Sequence, residues 1–303
     1  MRTAFIEALC ELAEKDERIW LLTGDLGYSV LERFVTRFPG RYVNMGVAEQ
    51  NMTGVAAGLA LEGKIVFTYS IANFPVMRCL EQIRNDVCYH GLNVKIVAVG
   101  GGLAYGAAGY SHHAVEDLAV MRAMPNMVVV APGDPMEARL ATQALVARSG
   151  PGYLRLGKGG EPSVHKAAFN FQLGKIITIR EGHDATLIST GGLLDMVVRA
   201  AEQLAQQGVS AAVLSMPTLQ PLDVDAVKKF AVQTRRIVTV EEHGAGGLGS
   251  AVAEVLAGNN ITCHLSTVRL QHELFAVMGS QAELRAAHGL SVENIVSIAL
   301  NLR

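Results

Sequence analysis

Short apolar runs rich in β-branched residues alternate with segments of helical spacing along the chain. In the first half the runs are Ile19 to Thr23, Ile65 to Tyr69, Val94 to Val99, Met127 to Ala131 and Tyr153 to Leu156. Such alternation predicts a mainly parallel sheet with helices on both faces. Met1 to Lys15 carries Glu7, Glu11 and Glu14 between apolar residues and reads as an amphipathic helix, not a signal peptide.

The stretch from Gly157 to Phe171, with its GKGGEP run, breaks the pattern and reads as a linker. A second α/β unit follows, with strands at Ala185 to Ser189, Ala211 to Ser215, Ile237 to Glu241 and Thr262 to Val268. Its helices are expected near 193–207, 224–232, 247–257 and 291–300. The fold class is therefore α/β, with two three-layer domains over 1–160 and 173–303 joined by a linker at 161–172. There is no internal repeat and no low-complexity segment.

Composition narrows the picture. A chain of 303 residues with 50% hydrophobic and 18% charged residues can bury two cores. The 26 Lys plus Arg against 28 Asp plus Glu give nothing that attracts nucleic acid or an anionic membrane, so any bound anion must be held locally. No apolar run approaches membrane-spanning length. Cys10, Cys79, Cys88 and Cys263 lie in apolar helix or strand patterns without Cys-x-x-Cys spacing, as expected of reduced residues in a cytoplasmic protein.

Ligands of open parallel sheets sit beyond the carboxyl ends of the strands, so the loops there carry the candidate chemistry. Four stand out: Gly24 to Ser29, Asn44 to Met52, Tyr69 to Arg78, and Gly100 to His113, a Gly- and Ala-rich loop ending in two histidines. Glu49 opens a helix whose next turns, Val55 to Ala60, are small and apolar enough to be buried. A buried carboxyl without a cation tends to keep its proton and can donate a hydrogen bond to a ring nitrogen. The plainer alternative is a first-turn Glu stabilised by the helix dipole. Gly244 to Gly249 matches GxGxxG between a strand and a helix, but Thr262 to Val268 ends without the acidic residue that would bind a ribose, which argues against a nicotinamide enzyme.

GVAEQNM, then Phe74, then LEQIRNDV, then the Gly-rich loop running into SHHAVEDLAVMRAMPNMVVVAPGDP, resembles the pyrimidine-binding domain of transketolases. VEEHGAGGLG resembles their C-terminal domain, and the likeness covers essentially the whole chain in order. The resemblance implies a thiamine-diphosphate enzyme in which Glu49 hydrogen-bonds the aminopyrimidine ring nitrogen, so that the exocyclic nitrogen can take the thiazolium proton. Phe74 would stack on the pyrimidine; taken alone, it reads as a core residue beginning a helix. His112 falls where this family places a histidine near the substrate oxygen, as donor or proton shuttle. His113 should point elsewhere if the segment is entering a helix, because neighbours diverge by about 100°. Arg2, Ser29 and Lys158 match three sugar-phosphate ligands, Lys158 standing where an arginine is expected and lacking its planar fork.

Departures from the family are informative. Where ordinary transketolases have a histidine and an acidic reader of the sugar, this sequence has Gly100 and Ala108, so an altered phosphorylated or sulfonated sugar is expected. The GDG segment that holds Mg²⁺ and the diphosphate is absent, since Gly24-Asp25-Leu26 and Gly133-Asp134-Pro135 lack the third glycine. No metal ligands are assigned to this chain. The resemblance implies a partner subunit with the diphosphate site, and a two-plus-two heterotetramer transferring ketol units. The alternatives are a 1-deoxyxylulose-5-phosphate synthase-like protein, a 2-oxo-acid dehydrogenase beta subunit, or a catalytically silent assembly subunit; retention of Glu49, Phe74 and His112 speaks against the last.

Overall fold

The computed structural model describes residues 1–271 and 278–302. Among these, twelve strands form two sheets: β1 Ile19–Thr23, β2 Tyr42–Asn44, β3 Ile65–Ile71, β4 Val94–Val99, β5 Val128–Val130, β6 Gly152–Leu156, β7 Ile177–Arg180, β8 Ala185–Ser189, β9 Ala211–Ser215, β10 Thr218–Gln220, β11 Arg236–Val240 and β12 His264–Val268. The first sheet has the order β10-β5-β6-β4-β3-β1-β2 and the second β12-β11-β8-β9-β7. Among these strand pairs only β10 against β5 and β7 against β9 are antiparallel.

The central strands are the buried ones. All six residues of β4 are buried between parallel neighbours β3 and β6, which suits its unbroken apolar character. Lys95 is the exception within it. Its ammonium donates to the carbonyls of Arg148 and Gly150, at 2.9 and 2.5 Å, and burial pulls it down to about 7. The N-terminal helix, Arg2–Ala13, buries Phe5, Ile6, Leu9 and Ala13 in the first core, beside the helix Pro135–Ala147. That second helix starts cleanly because Asp134 accepts from the Glu137 amide at 2.9 Å and Pro135 fits the first turn.

Three strands have no counterpart in the apolar pattern of the sequence: β2, β7 and β10. Each is an edge strand of three or four residues, too short to register as a pattern. The helix Gln281–Ala287 is equally silent in that pattern, although its Ser280 and Glu283 form a capping box. One expectation needs correction. Of Val55 to Ala60 only Ala56 and Ala57 are buried, whereas Gly58 is exposed, so the helix Glu49–Leu61 turns one side to the core and the other outward.

β10 has the largest architectural consequence. It lies in the second half of the sequence yet completes the first sheet by pairing with β5. Ala131 donates to the Pro217 carbonyl at 2.7 Å, and Gly191 donates to the Ala131 carbonyl at 3.0 Å, so the seam between the units is built partly from backbone.

Candidate active site

The candidate residues gather at the carboxyl ends of the parallel strands. Ser29 follows β1, Glu49 follows β2, Phe74 follows β3, His112 follows β4 and Lys158 follows β6. Arg2 begins the helix that runs back to β1, and its guanidinium lies 3.4 Å from where a Cβ on Gly159 would stand.

Glu49 opens its helix as expected and is only 3% exposed. It does have a cation, which corrects the expectation of an uncompensated carboxyl: Arg78 Nη1 donates to Oε2 at 3.1 Å. The same guanidinium lies over the Phe74 ring, 4.4 Å from its centroid. One half-exposed arginine thus covers both an acid and an aromatic face. No motif singles out Arg78; its position four residues after Phe74, on one helical face, is the available signal.

Phe74 meets His112 edge-on, with centroids 5.2 Å apart and planes at 65°. Asn73 ties the two loops together by donating to the Ser111 carbonyl at 2.8 Å, and Ser111 Oγ lies 3.0 Å from His112 Nδ1. The two histidines do diverge, but through a 3₁₀ turn, Tyr110–His112, and not through entry into an α-helix. His112 is partly exposed, whereas His113 is buried with Nε2 3.3 Å from the Gly106 carbonyl.

The Gly-rich loop owes its composition to close backbone packing. A Cβ on Gly101 would meet Arg155 Nε at 2.3 Å, and one on Gly106 would meet the Gly279 carbonyl at 2.3 Å. Glu242, from the end of the second sheet, accepts from the Leu103 amide at 2.8 Å and from Gln281 and Arg285 at 2.9 and 2.8 Å. Beneath it Arg155 pairs with Asp117 at 2.8 Å and also donates to the carbonyls of Ala114 and Glu242. The second unit therefore fixes the loop that carries His112.

The anion candidates do not all meet. Lys158 Nζ sits 4.8 Å over the Tyr105 ring, and Arg2 opposes, through its charge, the burial that raises the Tyr105 phenol. Arg2, Tyr105 and Lys158 thus adjoin, with the Tyr105 ring 6.2 Å from that of His112. Ser29 is exposed on a separate loop at φ +61°, its amide donating to Glu32 at 2.7 Å.

Which parts of a thiamine cofactor these residues suit follows from their donors and acceptors. A buried carboxyl beside an aromatic face suits an aminopyrimidine, which needs one polar contact and one stacking surface. A magnesium diphosphate needs oxygens with lone pairs to spare. Asp25 accepts from Asn44 at 3.0 Å and Tyr28 at 3.3 Å, while Asp134 accepts from the amides of Glu137, Val164 and His165. Asp134, Glu137 and His165 cluster in the manner of metal ligands, yet Glu137 already accepts from the Gly133 amide at 2.6 Å and holds His165 at 2.9 Å. Asp134 and Glu137 are thus engaged by the fold on both of their oxygens, whereas Asp25 receives both of its bonds on Oδ1.

The GxGxxG segment is likewise accounted for. At the start of the helix Leu248–Gly258, Glu241 accepts from the amides of Leu248 and Gly249 at 2.6 and 2.8 Å. A carboxylate of the chain itself holds the place where a dinucleotide pyrophosphate would bind.

Comparison with known proteins gives the family and the fold. The transketolase pyrimidine-binding domain matches residues 1–161 and the transketolase C-terminal domain residues 174–295. An apulose-4-phosphate transketolase subunit from Phocaeicola vulgatus is 40% identical over 99% of this chain and 96% of that protein. A 6-deoxy-6-sulfo-D-fructose transketolase subunit from a Clostridium species is 40% identical over 99% of the chain and 93% of its own length. A split-gene transketolase, solved as an inactive beta4 tetramer, superimposes with a TM-score of 0.90 at 38% identity, covering 99% of this chain and 97% of that one.

Proposed function

This chain belongs to the transketolase family, and from that premise we propose that it is the pyrimidine-site subunit of a two-component transketolase, active with a partner that carries the diphosphate and Mg²⁺ site. The observation that carries the reading is the convergence of Glu49, Phe74 and His112 from three successive strand ends, within reach of the cations Arg2 and Lys158. The relatives named as subunits of transketolases for phosphorylated and sulfonated sugars support it, as does the fact that the chain aligns with nearly their full length.

Thiamine diphosphate, when bound, supplies the nucleophilic carbon that receives a two-carbon ketol unit from a ketose and passes it to an aldose. The chain's own residues set the conditions. The Glu49 carboxyl would hold the pyrimidine through a ring nitrogen, and Phe74 would offer the stacking face once Arg78 moves aside. His112, oriented by Ser111, would donate a proton to the substrate oxygen as the carbonyl is attacked and take it back as the bond breaks. Arg2 and Lys158 would hold the anionic end of the sugar, with Ser29 as a further ligand from the neighbouring loop. Self-association and a two-plus-two assembly with the partner belong to the same proposal.

The test is ketol transfer from xylulose 5-phosphate or hydroxypyruvate, with thiamine diphosphate and Mg²⁺, by the chain alone and mixed with an N-terminal-half transketolase subunit. Turnover only in the mixture is expected, and Glu49→Gln should abolish it while leaving assembly intact. Full activity of the Glu49→Gln mixture removes the assignment; consumption of pyruvate without ketol transfer favours a 1-deoxyxylulose-5-phosphate synthase-like protein or a 2-oxo-acid dehydrogenase beta subunit.

A further inference from the structure

Gly100, at the end of β4, has φ +79°, and a Cβ placed there would lie 2.1 Å from Tyr105 Cε2 and 2.5 Å from Cδ2. The space of any side chain at position 100 is therefore taken by a ring five residues further on. The backbone that carries the ring is fixed. Ala108 donates to the Tyr105 carbonyl at 2.7 Å, and the next residue, Gly106, is pressed against the Gly279 carbonyl, so the loop has no room to retreat. The ring neighbours both the His112 imidazole, at 6.2 Å between centroids, and Lys158 Nζ, 4.8 Å over its face. A substrate with its reacting carbonyl at His112 and its anion at Lys158 would have both ends beside the Tyr105 ring.

We propose that Tyr105 is the specificity-determining residue of this channel, filling with an aromatic ring the space that a side chain at position 100 would take. The proposal rests on the ketol-transfer reading above. An apolar wall discriminates between substrates by roughly 10- to 200-fold, whereas a site built to bond a hydroxyl rejects the molecule lacking it by about 10⁴-fold or more. The aromatic face also stacks on carbon skeletons and carries the Lys158 ammonium by cation–π attraction. The class of sugar it admits is short, anionic at its far end, and free to lack a hydroxyl or carry a carbon branch between the carbonyl and the anion.

The experiment compares D-glyceraldehyde 3-phosphate with its 2-deoxy analogue as acceptors, using this chain assembled with its partner. The wild-type complex should use both with kcat/KM within about 200-fold of each other, the limit of an apolar wall. Tyr105→Phe should keep that ratio. Tyr105→Leu, which stays apolar but removes the face beneath Lys158, should raise KM for both acceptors at least about threefold, with kcat much less affected. Gly100→Asn combined with Tyr105→Ala, which puts a polar group into the vacated space, should shift the ratio toward the hydroxylated acceptor by about tenfold or more. A ratio changed in Tyr105→Phe, or KM values unmoved in Tyr105→Leu beside a lowered melting temperature, overturns the proposal and leaves Tyr105 a structural residue. Absence of ketol transfer to any acceptor by the wild-type mixture fails the parent reading, and this proposal falls with it.

Discussion

Arg78 holds both contacts that the aminopyrimidine would need, the Glu49 carboxyl at 3.1 Å and the Phe74 face at 4.4 Å. Its own side chain is 51% exposed and stays hydrated when it leaves, whereas Glu49 is 3% exposed, so the carboxyl gives up the cation without penalty only if the incoming ring nitrogen takes its place. In the proposed site, cofactor entry would then include an exchange in which the ring displaces the guanidinium. The apparent affinity is lowered by the fraction of time the site is covered. Arg78→Met is expected to tighten thiamine diphosphate binding to the assembled complex by about three- to tenfold, read by calorimetric titration. Weaker binding would mean that the guanidinium stays and helps to hold the ring. His112 makes a different demand. A group that moves a proton in the transition state is worth about 10²-fold or more, so His112→Ala should lower kcat by at least that amount, whereas a loss below about threefold would reduce it to a loop residue. Glu49, Phe74 and His112 are candidates from sequence because the segments that carry them resemble the family's motifs, each on its own strand-end loop, although Phe74 taken alone reads as a core residue. Arg78 and Tyr105 cannot, because their importance lies in contacts made across loops, and nothing in the spacing of Tyr105 foretells that it fills the space of Gly100.

At the scale of elements, long central strands are legible in the sequence and short edge strands are not. β1, β4, β8 and β9 fall where their apolar runs predict, since burial on both faces leaves a continuous signal. β2, β7 and β10 carry three or four residues each and take their conformation from the neighbour they pair with. The polar seam between the sheets is equally hidden, because Asp117, Arg155, Glu242 and His243 come together only after both sheets form. Within it, His243 Nε2 accepts from the Leu118 amide at 3.1 Å and Nδ1 donates to the Gly244 carbonyl at 3.0 Å, so both nitrogens are matched to the neutral ring. Burial accordingly pulls His243 from 6.5 down to about 4, against the attraction of Asp117. Below about pH 6.5 the unfolded chain takes up a proton that this folded imidazole refuses, so the contribution of His243 to stability falls with pH until about pH 4, by roughly 3 kcal/mol in all. Burial holds the Glu241 carboxyl up at about 7, which works the opposite way over the same range, so the His243 share is read by difference: from pH 7 to pH 5, denaturant unfolding should show His243→Asn losing less stability, or gaining more, than the wild type, even though the variant starts less stable. An unchanged slope in the variant would place the acid sensitivity elsewhere.

At the scale of the whole molecule, the two units that the sequence pattern separates are not mechanically separate. The first sheet is closed at one end by β10, which arrives from beyond the linker, and the loop bearing His112 is fixed by Glu242, Gln281 and Arg285 of the second unit. Removing the second unit would uncover β5, whose three valines are all buried in the intact chain, as a bare apolar edge. It would also leave Arg155 and Asp117 without the Glu242 carbonyl and the His243 ring that close their network. A buried ion pair that loses its surroundings is destabilising, and an unpaired hydrophobic edge recruits other chains. A fragment ending at residue 162 is therefore expected to aggregate or to unfold at a much lower temperature than the full chain. A fragment carried on to residue 222, which keeps β10 but lacks β11, β12 and the Glu242 anchor, should gain little. Light scattering and circular dichroism on the two fragments decide the matter: a soluble, cooperatively folding 1–162 fragment would show that the first sheet stands alone and that the second unit serves only to position the histidine loop.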